Sequence, residues 1–135
     1  MNNNPSVFPM GNPLPEQFSK FFIGQAYLQP LTDKGGPIAN VTFEQGCRNN
    51  WHIHHAKSGG GQILLVTGGR GWYQEWGKKP QELHPGDVVV IPAGVKHWHG
   101  AAADSWFSHL AVEVIGEETS NEWLEAVTDE EYVKL

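Results

Sequence analysis

The sequence predicts an all-β domain, a small closed or double-sheet barrel with a short C-terminal helix. Two observations carry this expectation. Short runs of β-branched and aromatic residues follow one another at regular spacing. Sixteen Gly and nine Pro in 135 residues break those runs, which implies many turns and little helix. The length suits one domain with one core.

Three stretches are expected: an extended arm over residues 1–20, the barrel over 21–116 and a helical tail over 117–135. The arm is Asn- and Pro-rich, so it is read as either without fixed structure or crossing to a neighbouring subunit. The strand-like runs are 22–28, 38–45, 50–55, 62–67, 71–76, 81–83, 87–91, 96–101 and 105–115. Gly68-Gly69 and Gly77 mark turns between them, and His84-Pro85-Gly86-Asp87 reads as a tight turn. In the tail, Thr119 with Glu122 and Thr128 with Glu131 have capping-box spacing. They predict a helix over 121–126 and a second helical turn after Asp129.

Charge and cysteine content narrow the classes of function. Nine basic against fifteen acidic residues give a formal charge of −6, with no basic patch of the kind nucleic acid binding needs. No apolar run is long enough to span a bilayer. Met1–Leu14 lacks the layout of a signal peptide, and Cys47 stands alone, so no intrachain disulfide forms. A reducing cytoplasm is the expected compartment. Cys47 is read as a small packing residue, with a reactive thiol or soft ligand as the alternative.

The chemistry concentrates in two clusters. Gly46 is followed after five residues by His52-Ile53-His54, then by Gln62 and, six residues on, Gly69. Gly86 is followed after five residues by Pro92-Ala93-Gly94 and, two residues on, His97. His52 and His54 lie two apart on an expected strand, so they share one face. Imidazole nitrogens suit zinc, copper, iron, nickel or manganese, and an amide oxygen can complete such a set. His99 follows His97 by two and should face the same interior. In Trp106–Val112, an inward Phe107 and Ala111 bring His109 inward as well. A free imidazole beside a metal-bound substrate can act as general acid or base near neutral pH. His55 should face away, His84 sits in a turn, and Trp98 should point outward. Lys57 and Gly59-Gly60-Gly61 lie in one loop, read as solvated surface or as a lid over the barrel mouth.

Both clusters resemble the two cupin motifs, G-x5-H-x-H-x(3,4)-E-x6-G and G-x5-P-x-G-x2-H-x3-N, over 46–101. The resemblance implies a double-stranded β-helix, or jelly-roll barrel, holding one divalent ion. It gives His52, His54 and His97 as metal ligands, with Gln62 in place of the usual Glu, either as a direct ligand or turned toward a bound water. Two departures stand out: residues 55–61 lengthen the step from His54 to Gln62, and Ala101 replaces Asn. An amide cancels no charge of the ion, which leaves it a stronger Lewis acid.

A closer similarity joins His52-x-His54, the run 62–72, His84–Val89, His97–Ala101 and His109-Leu110-Ala111 to small bacterial cupins that include manganese-dependent hydroxynitrile lyases. Domains found beside carboxymuconolactone-decarboxylase-like proteins are similar too. The resemblance favours manganese, with iron, nickel, cobalt or zinc as alternatives. It implies lyase- or decarboxylase-like chemistry on a small oxygenated molecule, with His99 and His109 moving protons. A metal-dependent dioxygenase and a non-catalytic small-molecule-binding barrel are the alternative functions. A homodimer is expected, because a second subunit commonly covers exposed sheet edges in such barrels.

Overall fold

The structure, a computed structural model, describes residues 3–135. The chain opens with β1 (Asn12–Pro13), the single-turn helix α1 (Glu16–Ser19), β2 (Phe22–Ile23), β3 (Ala26–Thr32), β4 (Ile38–Phe43) and β5 (Arg48–Asn49). It continues through β6 (His52–His55), β7 (Ser58–Gly59), β8 (Gln62–Gly69), β9 (Gly71–Glu75), β10 (Gln81–Leu83) and β11 (Val88–Ile91). It closes with β12 (His97–Ala101), β13 (Phe107–Glu113), β14 (Gly116–Glu117), β15 (Ser120–Trp123) and α2 (Asp129–Tyr132).

Beside a separate two-stranded ribbon of β7 and β14, the strands form two main antiparallel sheets, as the all-β jelly-roll expectation requires. One runs β1-β3-β4-β13-β8-β11. The other runs β10-β9-β12-β5-β2, with β6 pairing both β12 and β15. Period-two alternation decides what enters the space between them. In β8, Gln62, Leu64, Val66 and Gly68 are buried while their neighbours are half-buried. Phe43, Leu64, Leu83, Ile91 and Phe107 fill one end of the interior and leave the other end open as a cavity. Each such fully buried large side chain stabilises the fold by about 1.5–3 kcal/mol.

A second apolar cluster lies on the outer face of the β12 sheet. Trp51 and Trp98 pack there against Val127 and Tyr132 of the tail. Trp98 therefore does point away from the barrel interior, yet it is only 1% exposed because the tail covers it. Arg48 fastens the tail: its guanidinium donates to the Val127 carbonyl at 2.8 Å and to Asp129 at 2.6 Å, and lies 4.3 Å from the Tyr132 ring centroid.

Three local expectations need correction. Residues 121–126 are not helical. Ser120–Trp123 instead pairs with β6, placing Asn121 opposite His54 and Trp123 opposite His52. That register lets the Trp123 ring stack on Phe21 at 4.7 Å and on His52 at 4.6 Å, and it covers an otherwise open strand edge. Glu122 then reaches His55 at 2.8 Å rather than capping a helix at Thr119. The other capping box does form, with Thr128 and Glu131 bonding reciprocally at the start of α2.

The expected strand over 22–28 is split, because the backbone turns at Gly24 (φ +93°) between β2 and β3. The arm is not free of the barrel over its described part: Asn12 and Pro13 pair with Leu28 and Tyr27, while Met1 and Asn2 lie outside the described residues. Among the described residues, no helix is long and apolar enough to cross a membrane.

Candidate metal centre

Strand alternation and register build this site. On β6, His52 and His54 turn inward while His55 is exposed. On β12, His97 stands directly opposite His52, and their ring centroids are 4.1 Å apart. The imidazoles of His52, His54 and His97 each present one nitrogen to a common point, all within 4.8 Å of one another.

The opposite nitrogen of each ring is already engaged. Nδ1 of His52 lies 2.9 Å from the Asn50 carbonyl, Nδ1 of His97 lies 2.9 Å from the Val95 carbonyl, and Nδ1 of His54 lies 2.8 Å from Asn121 Oδ1. Carbonyl oxygens only accept, so each Nδ1 carries the proton and each Nε2 keeps its lone pair. Nε2 of His54 and of His97 are buried with no hydrogen-bond partner. A divalent ion is the group that satisfies such converging, orphaned lone pairs, so the three residues fit a metal.

Burial reinforces this. It pushes the His97 imidazole down to about 4 and holds His52 well below its ordinary 6.5, with the neighbouring imidazoles adding to the effect at His52. Neutral imidazole is the form that binds a metal ion.

Gln62, at the start of β8, is 9% exposed and lines the cavity beside His52 and His54. Its Nε2 donates to Glu113 Oε1 at 2.7 Å. The long step from His54 to Gln62 is absorbed outside the site. Ser58 and Gly59 pair with Glu117 and Gly116 as a separate two-stranded ribbon, so Gln62 keeps its phase on β8. The three glycines are part of that close packing rather than a hinge. All have positive φ, and a Cβ on Gly61 would lie 2.3 Å from the Ile91 carbonyl oxygen. Lys57 is exposed on this ribbon and lines neither cavity described here.

His99 and His109 come together on the cavity wall from β12 and β13. His109 Nε2 lies 3.3 Å from His99 Nδ1, and Asn49 accepts from the His99 backbone N–H at 2.9 Å. Burial depresses His99 well below its ordinary range, helped by the His109 imidazole, and pushes His109 down to about 4. Both rings are therefore neutral at pH 7 and can exchange a proton with each other or with a bound molecule.

The cavity has a volume of about 550 Å³. Leu28, Val41, Phe43 and Trp123 give it apolar walls, and Leu14 and Phe18 of the N-terminal segment stand at its edge. A smaller pocket of about 280 Å³ shares His54, Glu113 and Asn121 with it and opens by the β7–β14 ribbon. Cys47 is fully buried in the core, and burial pushes its thiol up to about 12, so it is a packing residue. His84 is exposed in its turn. Trp76 also lies outside, packed edge-on against Trp51 with Lys96 over its ring.

Sequence reasoning missed Asn121, Asn49 and Glu113. Asn121 was hidden by the expected helix. Asn49 occupies an unspecified position of the first motif and Glu113 lies outside both, although alternation from His109 through Ala111 points Glu113 inward.

Comparison with known proteins places this geometry among relatives. Residues 39–113 match the Cupin_2 family, described as a cupin domain. The chain is 43% identical over 116 residues to an (R)-mandelonitrile lyase from Granulicella tundricola, covering 83% of this chain and 86% of that protein. A cupin-like protein from Thermotoga maritima superposes with a TM-score of 0.81 at 38% identity, covering 96% of each chain. A cupin 2 conserved barrel domain protein from Rhodopseudomonas palustris shares the fold at 17% identity, with a TM-score of 0.68 over 92% of this chain and 81% of that one.

Proposed function

The chain belongs to the cupin domain family, and from that premise we propose that it is a metal-dependent lyase that cleaves small cyanohydrins, aromatic ones included, into an aldehyde and hydrogen cyanide. One observation carries this reading: a largely apolar cavity brings a neutral histidine pair, His99 and His109, beside the three-histidine cluster. The 43% identity to an (R)-mandelonitrile lyase supports the substrate class.

In this reading His52, His54 and His97 hold the ion through Nε2, and Gln62 offers a neutral oxygen. The ion, manganese by preference, would supply Lewis acidity toward the substrate oxygen or the leaving cyanide. Phe43, Val41 and Trp123 receive the apolar substituent of the substrate and exclude water around it. His99 accepts the hydroxyl proton. The O–H electron pair becomes the carbonyl π bond, the C–CN bond breaks, and its electron pair leaves with cyanide. The proton then passes from the imidazolium to cyanide, giving hydrogen cyanide and restoring neutral His99. His109, 3.3 Å from His99 Nδ1, holds the ring in place and shares the positive charge while it exists.

The test is aldehyde release from (R)-mandelonitrile by manganese-loaded protein, wild type against His99→Ala. The variant should keep its metal and lose about 10²–10⁴-fold in kcat, the usual contribution of a positioned proton-transfer group. Equal turnover by the variant would remove His99 from the chemistry. Absence of aldehyde release by wild type loaded in turn with manganese, iron, cobalt, nickel and zinc would sink the lyase reading.

A further inference from the structure

Gln62 and Glu113 stand directly opposite each other at the ends of β8 and β13. Each is in phase with interior residues of its own strand: Gln62 with Leu64 and Val66, Glu113 with Ala111 and His109. Their side chains therefore meet on the cavity face, and Gln62 Nε2 donates to Glu113 Oε1 at 2.7 Å. A carboxylate only accepts hydrogen bonds, so this contact admits one orientation of the amide. The NH₂ end faces Glu113, and Oε1 is left to face the other way. A metal ion takes the oxygen of an amide, never its NH₂ group.

The geometry points to Glu113 as the positioning residue that turns Gln62 into a metal ligand and returns, one hydrogen bond away, the negative charge lost by having Gln at this place. The inference rests on the reading of His52, His54, His97 and Gln62 as the ligand set. Its physics is that of other carboxylates behind metal ligands. A hydrogen bond from the ligand to an anion fixes the ligand's orientation and pushes electron density toward the donor atom. A carboxylate bound directly would cancel a full charge of the ion. Held behind an amide, it attracts the ion from farther away and leaves more of the Lewis acidity for the substrate. The device depends on register: a one-residue slip between β8 and β13 would turn one of the two side chains out of the cavity.

The test reads metal affinity rather than turnover. Manganese(II) is titrated into metal-free wild type, Glu113→Ala, Glu113→Gln, Gln62→Ala and the double variant Gln62→Ala/Glu113→Ala, with His52→Ala as the control for the histidine cluster. Glu113→Ala should weaken manganese binding by about 10–100-fold, the usual cost of removing a ligand's orienting partner. Glu113→Gln should lose part of that, because it keeps an acceptor but neither the charge nor the fixed orientation. In the Gln62→Ala background, Glu113→Ala should cost much less, since its orienting effect runs through Gln62 and only the attraction of its charge for the ion remains.

Wild-type affinity in Glu113→Ala, or an equal loss with and without Gln62, would overturn the inference. If either result came with loss of binding in His52→Ala, the metal-site reading would stand and only the role of Glu113 would fall. A wild type that takes up no manganese would overturn both. Thermal unfolding of the metal-free proteins separates any folding defect from loss of a ligand.

Discussion

His109 is buried without charge, and that has a consequence measurable in the absence of metal or substrate. Its imidazole sits at about 4 in the folded chain against an ordinary 6.5, because burial penalises the charged form. Between those two values the unfolded chain binds a proton that the folded chain does not. Stability is therefore full above about pH 6.5 and is lost as pH falls toward 4. His52, His97 and His99 are depressed in the same direction and steepen the same window. The unfolding midpoint of chelator-treated protein should be level above that window and fall through it. His109→Gln should flatten the slope by about one proton. A profile unchanged in His109→Gln would contradict the neutral assignment. The three candidate ligands show how far residue types carry a reading. His-x-His spacing implies one shared face, but nothing local shows that two main-chain carbonyls and the Asn121 side chain hold the Nδ1 atoms. Those partners come from three separate places on the chain.

Among the elements, β12 carries both His97 and His99, and its place is set by close approach to β5. A Cβ on Gly100 would lie 2.6 Å from Arg48 Cα and 2.6 Å from the Cys47 carbonyl oxygen. Backbone cannot yield as a side chain does, so any larger residue pushes β12 off its neighbour. Gly100→Ala should destabilise by about 1–3 kcal/mol and lower Tm by roughly 4–12 °C. It should also weaken metal binding, because His97 moves with the strand. Wild-type Tm and affinity in this variant would show that the packing is looser than described. Local runs were legible in the sequence: β9, β11 and β13 fall within the expected ones, while β8 fills 62–67 and continues through Gly68 and Gly69, which were expected as a turn. The tail was not, because capping signals are local and the partner of β15 is not. Thr119 and Glu122 have the spacing of a helix start, yet pairing to β6 and the stacking of Trp123 on His52 and Phe21 outweigh it.

At the scale of the whole molecule, division of labour between the two sheets produces the site. The β12 sheet contributes the three-histidine cluster, and the β13 sheet contributes Gln62, Glu113 and His109 from the facing wall. The N-terminal segment and β15 close the sides with Phe18 and Trp123, so the cavity becomes apolar around a polar floor. Two motifs foretold the floor. The apolar walls come from β3, β4 and the folded-back N-terminal segment, whose residues meet only in the closed barrel. The central claim is that the floor holds a divalent metal. Its most direct test is elemental analysis by inductively coupled plasma mass spectrometry, on wild type and His52→Ala purified without a histidine tag or added metal. The account predicts near-stoichiometric divalent metal in wild type, manganese first among the candidates, and its loss in His52→Ala. A wild type that stays empty after exposure to manganese, iron, cobalt, nickel and zinc, or a His52→Ala that keeps its full complement, would contradict it.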